Sequence, residues 1–173
     1  MRRTDRIEPQ ARLGSGAAVL ALAVLLLSGA TAGASEFTLR IDGLACPFCA
    51  FGVEKKLLAL PSVTGIEVLL DEGKVVLSLR EGEALDVAAL DEAVRKAGFT
   101  ARALLVRDVA GVLSRDPQGE LLLTCSEPSV TFRLELDDVD ARPGIEEGRT
   151  LVVSGSVTRL ATQPPLLEGS ATE

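Results

Sequence analysis

From Phe37 to Asp42 the chain alternates apolar and polar residues, the period of two expected of a strand with one buried face. The period then changes. After a loop at Gly43 to Ala45, Pro47 suits the first position of a helix, and Phe48, Val53, Leu57 and Leu60 recur near helical spacing until Pro61 closes the run. Val63 to Leu70 predicts a second strand. Asp71-Glu72-Gly73 supplies a turn and Lys74 to Leu79 a third strand, which makes a hairpin. Asp86 has the chemistry of an N-cap for a second helix, with Val87, Leu90, Val94 and Ala97 on one face and Gly98 closing it. Phe99 to Val106 predicts a fourth strand.

The order β-α-β-β-α-β is the split βαβ, or ferredoxin-like, arrangement of the α+β class. Each helix carries one apolar stripe, and both stripes can cover the same face of a four-stranded antiparallel sheet. Beyond residue 106 the pattern is different. Short β-like runs at Gly111 to Ser114, Leu121 to Thr124, Val130 to Leu136 and Leu151 to Val157 are separated by turn formers, among them Pro117, Gly119, Pro128 and Pro143-Gly144. These predict a small barrel or sandwich. The run Gly148 to Gly155 resembles a late strand of an OB-like barrel. The expected organisation is a ferredoxin-like domain at 36–106, a β-rich region of no assigned function at 107–161, and a disordered polar, Pro/Gly-rich tail at 162–173.

The first 34 residues stand apart. Arg2, Arg3, Arg6 and Arg12 precede the apolar run Ala17 to Leu27, and small residues at 30–34 follow it. This is the layout of a cleaved export signal, with a mature start near Ser35. The rival is an uncleaved inner-membrane anchor with the chain facing out, because Gly16 to Ala34 holds no charge and approaches the roughly 20 residues that span a bilayer. The expected location is therefore the periplasm or another exported compartment, with membrane contact only if the signal is retained. Removing residues 1–34 leaves 14 Lys and Arg against 23 Asp and Glu, a net charge of −9. That charge, with no Trp or Tyr, argues against nucleic acid as a partner.

The chain has no histidine and three cysteines. A Ser-His-Asp or Cys-His catalytic site is thereby excluded, and no enzymatic activity is expected. Two of the cysteines form Cys46-Pro47-Phe48-Cys49, on a loop entering a helix, where unpaired N–H groups and the positive end of the dipole favour thiolates. Thiolates select soft ions. Two sulfurs without histidine suit linear coordination, which points to Cu(I) or Hg(II) ahead of Zn(II), an ion that takes four ligands. The same spacing also allows thiol–disulfide redox chemistry or a plain disulfide, and Cys-Pro-Phe-Cys looks like the redox motif of glutaredoxins.

The surroundings of the pair carry a resemblance. Gly43-Leu44-Ala45-Cys46-Pro47-Phe48-Cys49, then Val53-Glu54, Leu57, Leu60-Pro61, Val63 and Gly98-Phe99 are similar to the pattern of the heavy-metal-associated domain family, which includes copper chaperones and a periplasmic mercury-binding protein. The resemblance covers about residues 36–106. It implies a ferredoxin-like fold, a metal ion held by Cys46 and Cys49, and ligand exchange with a metal transporter or another cysteine-bearing metal-binding protein. It also implies that Phe99 lies near the metal loop as a shield. Leu44 stands where the family usually has Met, as a packing residue.

Other residues have plainer expectations. Cys125 reads as a small buried strand residue, with a third metal ligand, a disulfide partner or an intermolecular link as alternatives. Of Phe48 and Phe51, one is expected in the core and one exposed near the metal loop. Lys55 and Lys56 read as an exposed helix face. Asp137, Asp138, Asp140, Glu146 and Glu147 read as a solvated turn, since they lack the spacing of a calcium loop.

Overall fold

Alternation of Phe37, Leu39 and Ile41 builds the first strand, β1 (Glu36–Asp42), with those three side chains buried. The computed structural model describes residues 35–136 and 147–172. There β1 is followed by helix α1 (Pro47–Leu57), β2 (Val63–Leu69), a 3-10 turn (Leu70–Glu72), β3 (Lys74–Leu79) and helix α2 (Val87–Lys96). Five more strands come next: β4 (Thr100–Arg115), β5 (Leu121–Ser126), β6 (Ser129–Leu136), β7 (Thr150–Val157) and β8 (Leu166–Thr172). The export signal expected at 1–34 and the acids Asp137, Asp138, Asp140 and Glu146 lie outside the described residues.

The first four strands form an antiparallel sheet in the order β2-β3-β1-β4, and the two helices cover one face, the ferredoxin-like arrangement. α1 buries Ala50, Val53 and Leu57, and α2 buries Val87, Leu90, Ala93 and Val94. Each of the larger side chains contributes about 1.5–3 kcal/mol by leaving water. Asp86 caps α2 by accepting from the N–H groups of Ala88 and Ala89, at 3.0 and 3.1 Å. Gly98, at φ 89°, reverses the chain after α2, and the Phe99 N–H returns to the Val94 carbonyl at 3.1 Å.

Three expectations need correction. α1 ends at Leu57, short of Pro61, because residues 58–62 turn back through bonds from Leu60 N–H to Leu57 and from Val63 N–H to Leu60. The helical face holds Ala50, Val53 and Leu57, with Phe48 pointing outward.

The division expected after Val106 falls inside one strand. β4 runs on to Arg115 through a bulge at Arg107 and Asp108, where its register against β7 slips between Val106 and Val109. Asp108 takes φ 53°, which Asp tolerates better than most residues, and its N–H donates to Ser154 Oγ at 2.9 Å. The extra residue keeps the apolar side inward, so Leu104, Val106, Val109 and Leu113 are all buried. The two parts therefore share one hydrophobic core.

The tail expected to be disordered instead forms β8, which lies between β6 (parallel) and β7 (antiparallel). With β4 also paired to β5 and β7, five strands close in the order β4-β5-β6-β8-β7 and back to β4. Closure brings β7 and β8 so close at Gly155 and Gly169 that a Cβ on either would strike the other's backbone. That need for glycine is what makes the segment look unstructured in sequence.

Candidate metal centre

The site begins where β1 ends. β4 carries an extra residue, Arg102, between the partners of Arg40 and Ile41, and its guanidinium reaches Asp42 at 2.5 and 3.3 Å. Both groups are largely exposed, so this brace stabilises by at most about 1 kcal/mol. It pins the last residue of β1 beside the loop. Sequence reading did not find it, because the partners are 60 positions apart and the pairing depends on the bulge.

Gly43 then takes φ 75°, a conformation that favours glycine, and turns the chain into the loop. Leu44 is only 2% exposed and anchors the loop in the core, the packing role expected of it.

Cys46 is the N-cap of α1 in an extended conformation, and Pro47 opens the helix. Cys46 Sγ accepts from the Cys49 N–H at 3.2 Å, as an Asp or Ser oxygen would at such a position. The two Cα atoms are 5.2 Å apart, and the sulfurs are joined as a disulfide. Both cysteines are half-buried, and Cys49 packs against the edge of the core. Once reduced, the same placement brings two sulfurs together over a helix N-terminus that has no acidic residue in its first turn. A soft cation is the ligand that two converging thiolates suit best.

Of the side chains around the pair, one phenylalanine departs from expectation, while Lys55 and Lys56 form the exposed helix face expected of them. Phe48 is 91% exposed and Phe51 66%, so neither is in the core. They are three positions apart, and that spacing puts both on the face of α1 opposite Ala50, Val53 and Leu57. Phe99 is half-buried and packs against the core from the end of α2. Lys55 and Lys56 are exposed in the last turn of α1, about 10 Å along the helix from the cysteines. Glu147 pairs with Arg115 at 3.6 Å.

Cys125 is remote from this chemistry. It lies in β5, 1% exposed and not disulfide-bonded, with Gly111 and Leu123 packed beside it inside the barrel. Burial pushes its thiol from 9.0 up to about 11. Among the described residues no group of three or more Cys, Asp or Glu is placed to hold one ion.

Fold and site together define a ferredoxin-like α+β domain with a C-x-x-C pair at the start of its first helix. Residues 38–100 match the family described as the heavy-metal-associated domain. Over 70 residues the chain is 40% identical to the copper-exporting P-type ATPase of Mycobacterium tuberculosis, which is 40% of this chain and 9% of that protein. Over 64 residues it is 44% identical to copper-transporting ATPase 2 of Rhizobium meliloti, 37% of this chain and 8% of that protein. The chain thus spans less than a tenth of the length of these relatives. Among solved structures, oxidised MerP from Ralstonia metallidurans CH34 is similar at 23% identity and a TM-score of 0.35, covering 39% of this chain and 94% of that one.

Proposed function

We propose that this chain captures one soft metal ion, Cu(I) or Hg(II), between the thiolates of Cys46 and Cys49 and passes it on by ligand exchange. The observation that carries the reading is the convergence of the two cysteines at the half-buried start of α1, where the Cys49 N–H already points at the Cys46 sulfur. Two thiolates and no histidine favour a linear ion, and Zn(II) would lack ligands. Transfer would pass through an intermediate in which the ion is shared with a partner's cysteines. A metal transporter is the partner that fits, in keeping with the copper ATPases matched over the same residues. No catalytic role is proposed. The charged, apolar, then small-residue order of 1–34 supports export, with the site working in the periplasm.

Titration of the reduced chain with Cu(I) under argon tests this. One ion per chain should bind in competition with a chromophoric chelator. The Cys46–Cys49 bond gives one specific observation for a second reading, a thiol–disulfide redox protein. Catalysed insulin reduction without tight metal binding would establish that second reading and overturn the first.

A further inference from the structure

We propose that the outer face of α1 seats the chain on the surface of an anionic lipid bilayer, with the Cys46–Cys49 pair held against that surface. α1 is apolar on both sides. Ala50, Val53 and Leu57 cover the sheet. Phe48, Phe51 and Leu58, the C-cap of the helix, stand exposed on the other side. Among the described residues four large apolar side chains are exposed, and these are three of them. Steps of three, four and three residues, from Phe48 through Phe51 and Lys55 to Leu58, keep them in one stripe about 15 Å long. A helix apolar all round belongs in an apolar setting on both sides, and the sheet supplies only one.

The charge on this side selects the lipid. Without residues 1–34 the chain carries a net −9, which as a whole repels anionic headgroups. The helix layer is the exception. α1 and α2 together hold four cations, Lys55, Lys56, Arg95 and Lys96, against three acids, Glu54, Asp91 and Glu92. Glu92 is paired with Arg95 and Lys96, while Glu54 and Asp91 are half-buried. Lys55 and Lys56 stand exposed along the stripe. Their stems can lie on apolar surface while the ammonium groups reach lipid phosphates.

The shape favours a bilayer over a protein partner. Phe48, at 91% exposure, projects freely from the first turn, with Phe51 beside it. Rings that stand out from a convex face need a medium that yields around them, and a headgroup layer does so without a preformed groove. Cys46 and Cys49 flank Phe48, so a chain seated this way holds the metal centre in the headgroup layer, the plane in which a membrane transporter would be met. The contact depends neither on residues 1–34 nor on the metal-binding reading.

The test uses the chain from Ser35 onward, which keeps every residue of the shared core, from Phe37 to Ala171. With the disulfide intact and no metal added, it is sedimented with vesicles of phosphatidylglycerol and phosphatidylcholine in equal parts, and with vesicles of phosphatidylcholine alone. Binding to the anionic vesicles should be at least about tenfold tighter and should weaken with added salt. Phe48→Ser/Phe51→Ser should lose about tenfold or more, and Lys55→Glu/Lys56→Glu should lose the preference for anionic lipid. All four side chains are exposed, so circular dichroism of both variants should match the parent. The chain has no Trp or Tyr, and Phe48→Trp therefore makes a single fluorescent reporter. Its emission should move to the blue on anionic vesicles and be quenched by brominated acyl chains. A chain that stays in the supernatant overturns the proposal, and so does vesicle binding that is unchanged in the phenylalanine variant. Absence of lipid binding, with capture of a copper transporter's soluble metal-binding domain that the same variant loses, would assign the face to a protein instead.

Discussion

In a Cys46→Ser/Cys49→Ser double variant, Cys125 is the only thiol left, and its reactivity measures how well the barrel is closed. Burial raises this thiol from 9.0 to about 11. At pH 8 the ionised fraction falls from roughly 10% to roughly 0.1%, about 100-fold. The more basic thiolate is a better nucleophile, which returns roughly a factor of ten. For attack inside the closed barrel, ionisation alone would therefore leave about a tenfold slowing. A sulfur 1% exposed in β5 is out of the reagent's reach there, so reaction runs through an opened form in which the thiol regains its ordinary pKa, and the opening equilibrium sets the slowing instead. Each 1.4 kcal/mol of opening free energy slows that route roughly tenfold. The assay is the rate of reaction with a colorimetric aryl disulfide at pH 8, native against unfolded. The native rate should be at least about 100-fold lower. Rates within about threefold would refute the packing, and would restore Cys125 as a possible third ligand.

The same thiol has a stability consequence. The unfolded thiol ionises from about pH 9 while the folded one stays protonated to about 11, so its contribution is complete below pH 9 and is lost between 9 and 11. With the Cys46–Cys49 bond intact, the unfolding free energy from urea titration should fall over that window by up to about 3 kcal/mol more than in Cys125→Ala. Gly155→Ala places a Cβ 2.9 Å from the Gly169 Cα, and Gly169→Ala one 2.7 Å from the Gly155 Cα. Backbone cannot yield there as a side chain would, so calorimetry should show each losing about 2–3 kcal/mol, a drop in Tm of roughly 5–10 °C. Asp86→Ala removes the cap of α2 and should cost about 1 kcal/mol in denaturant unfolding, with Asp86→Ser recovering most of it.

The ferredoxin-like half was legible because each element states its period. Phe37, Leu39 and Ile41 give the strand, and Asp86 and Gly98 mark both ends of α2. What the sequence hid lies in long-range pairing. Arg107-Asp108 reads as the polar end of a strand. In three dimensions it is a bulge, held by Ser154 from 46 residues away, that carries β4 into the barrel. β8 contains Gly169 and Ser170, which suggest a loose tail, yet the small residue is what lets β7 approach. In the candidate site the cysteines and the Gly43 loop were readable from local chemistry, and the packing role of Leu44 from the family resemblance. The exposure of Phe51 was not, because it depends on which side of α1 faces the sheet, and Ala50 takes the inward place.

The central claim is that Cys46 and Cys49 alone hold the ion. The direct measurement is Cu(I) affinity by chelator competition, under argon, for the reduced chain and for Cys46→Ser, Cys49→Ser and Cys125→Ala. The account predicts one tightly bound ion, a loss of at least about 100-fold in each of the first two variants, and no change in the third. Tight binding that survives in both serine variants would contradict it.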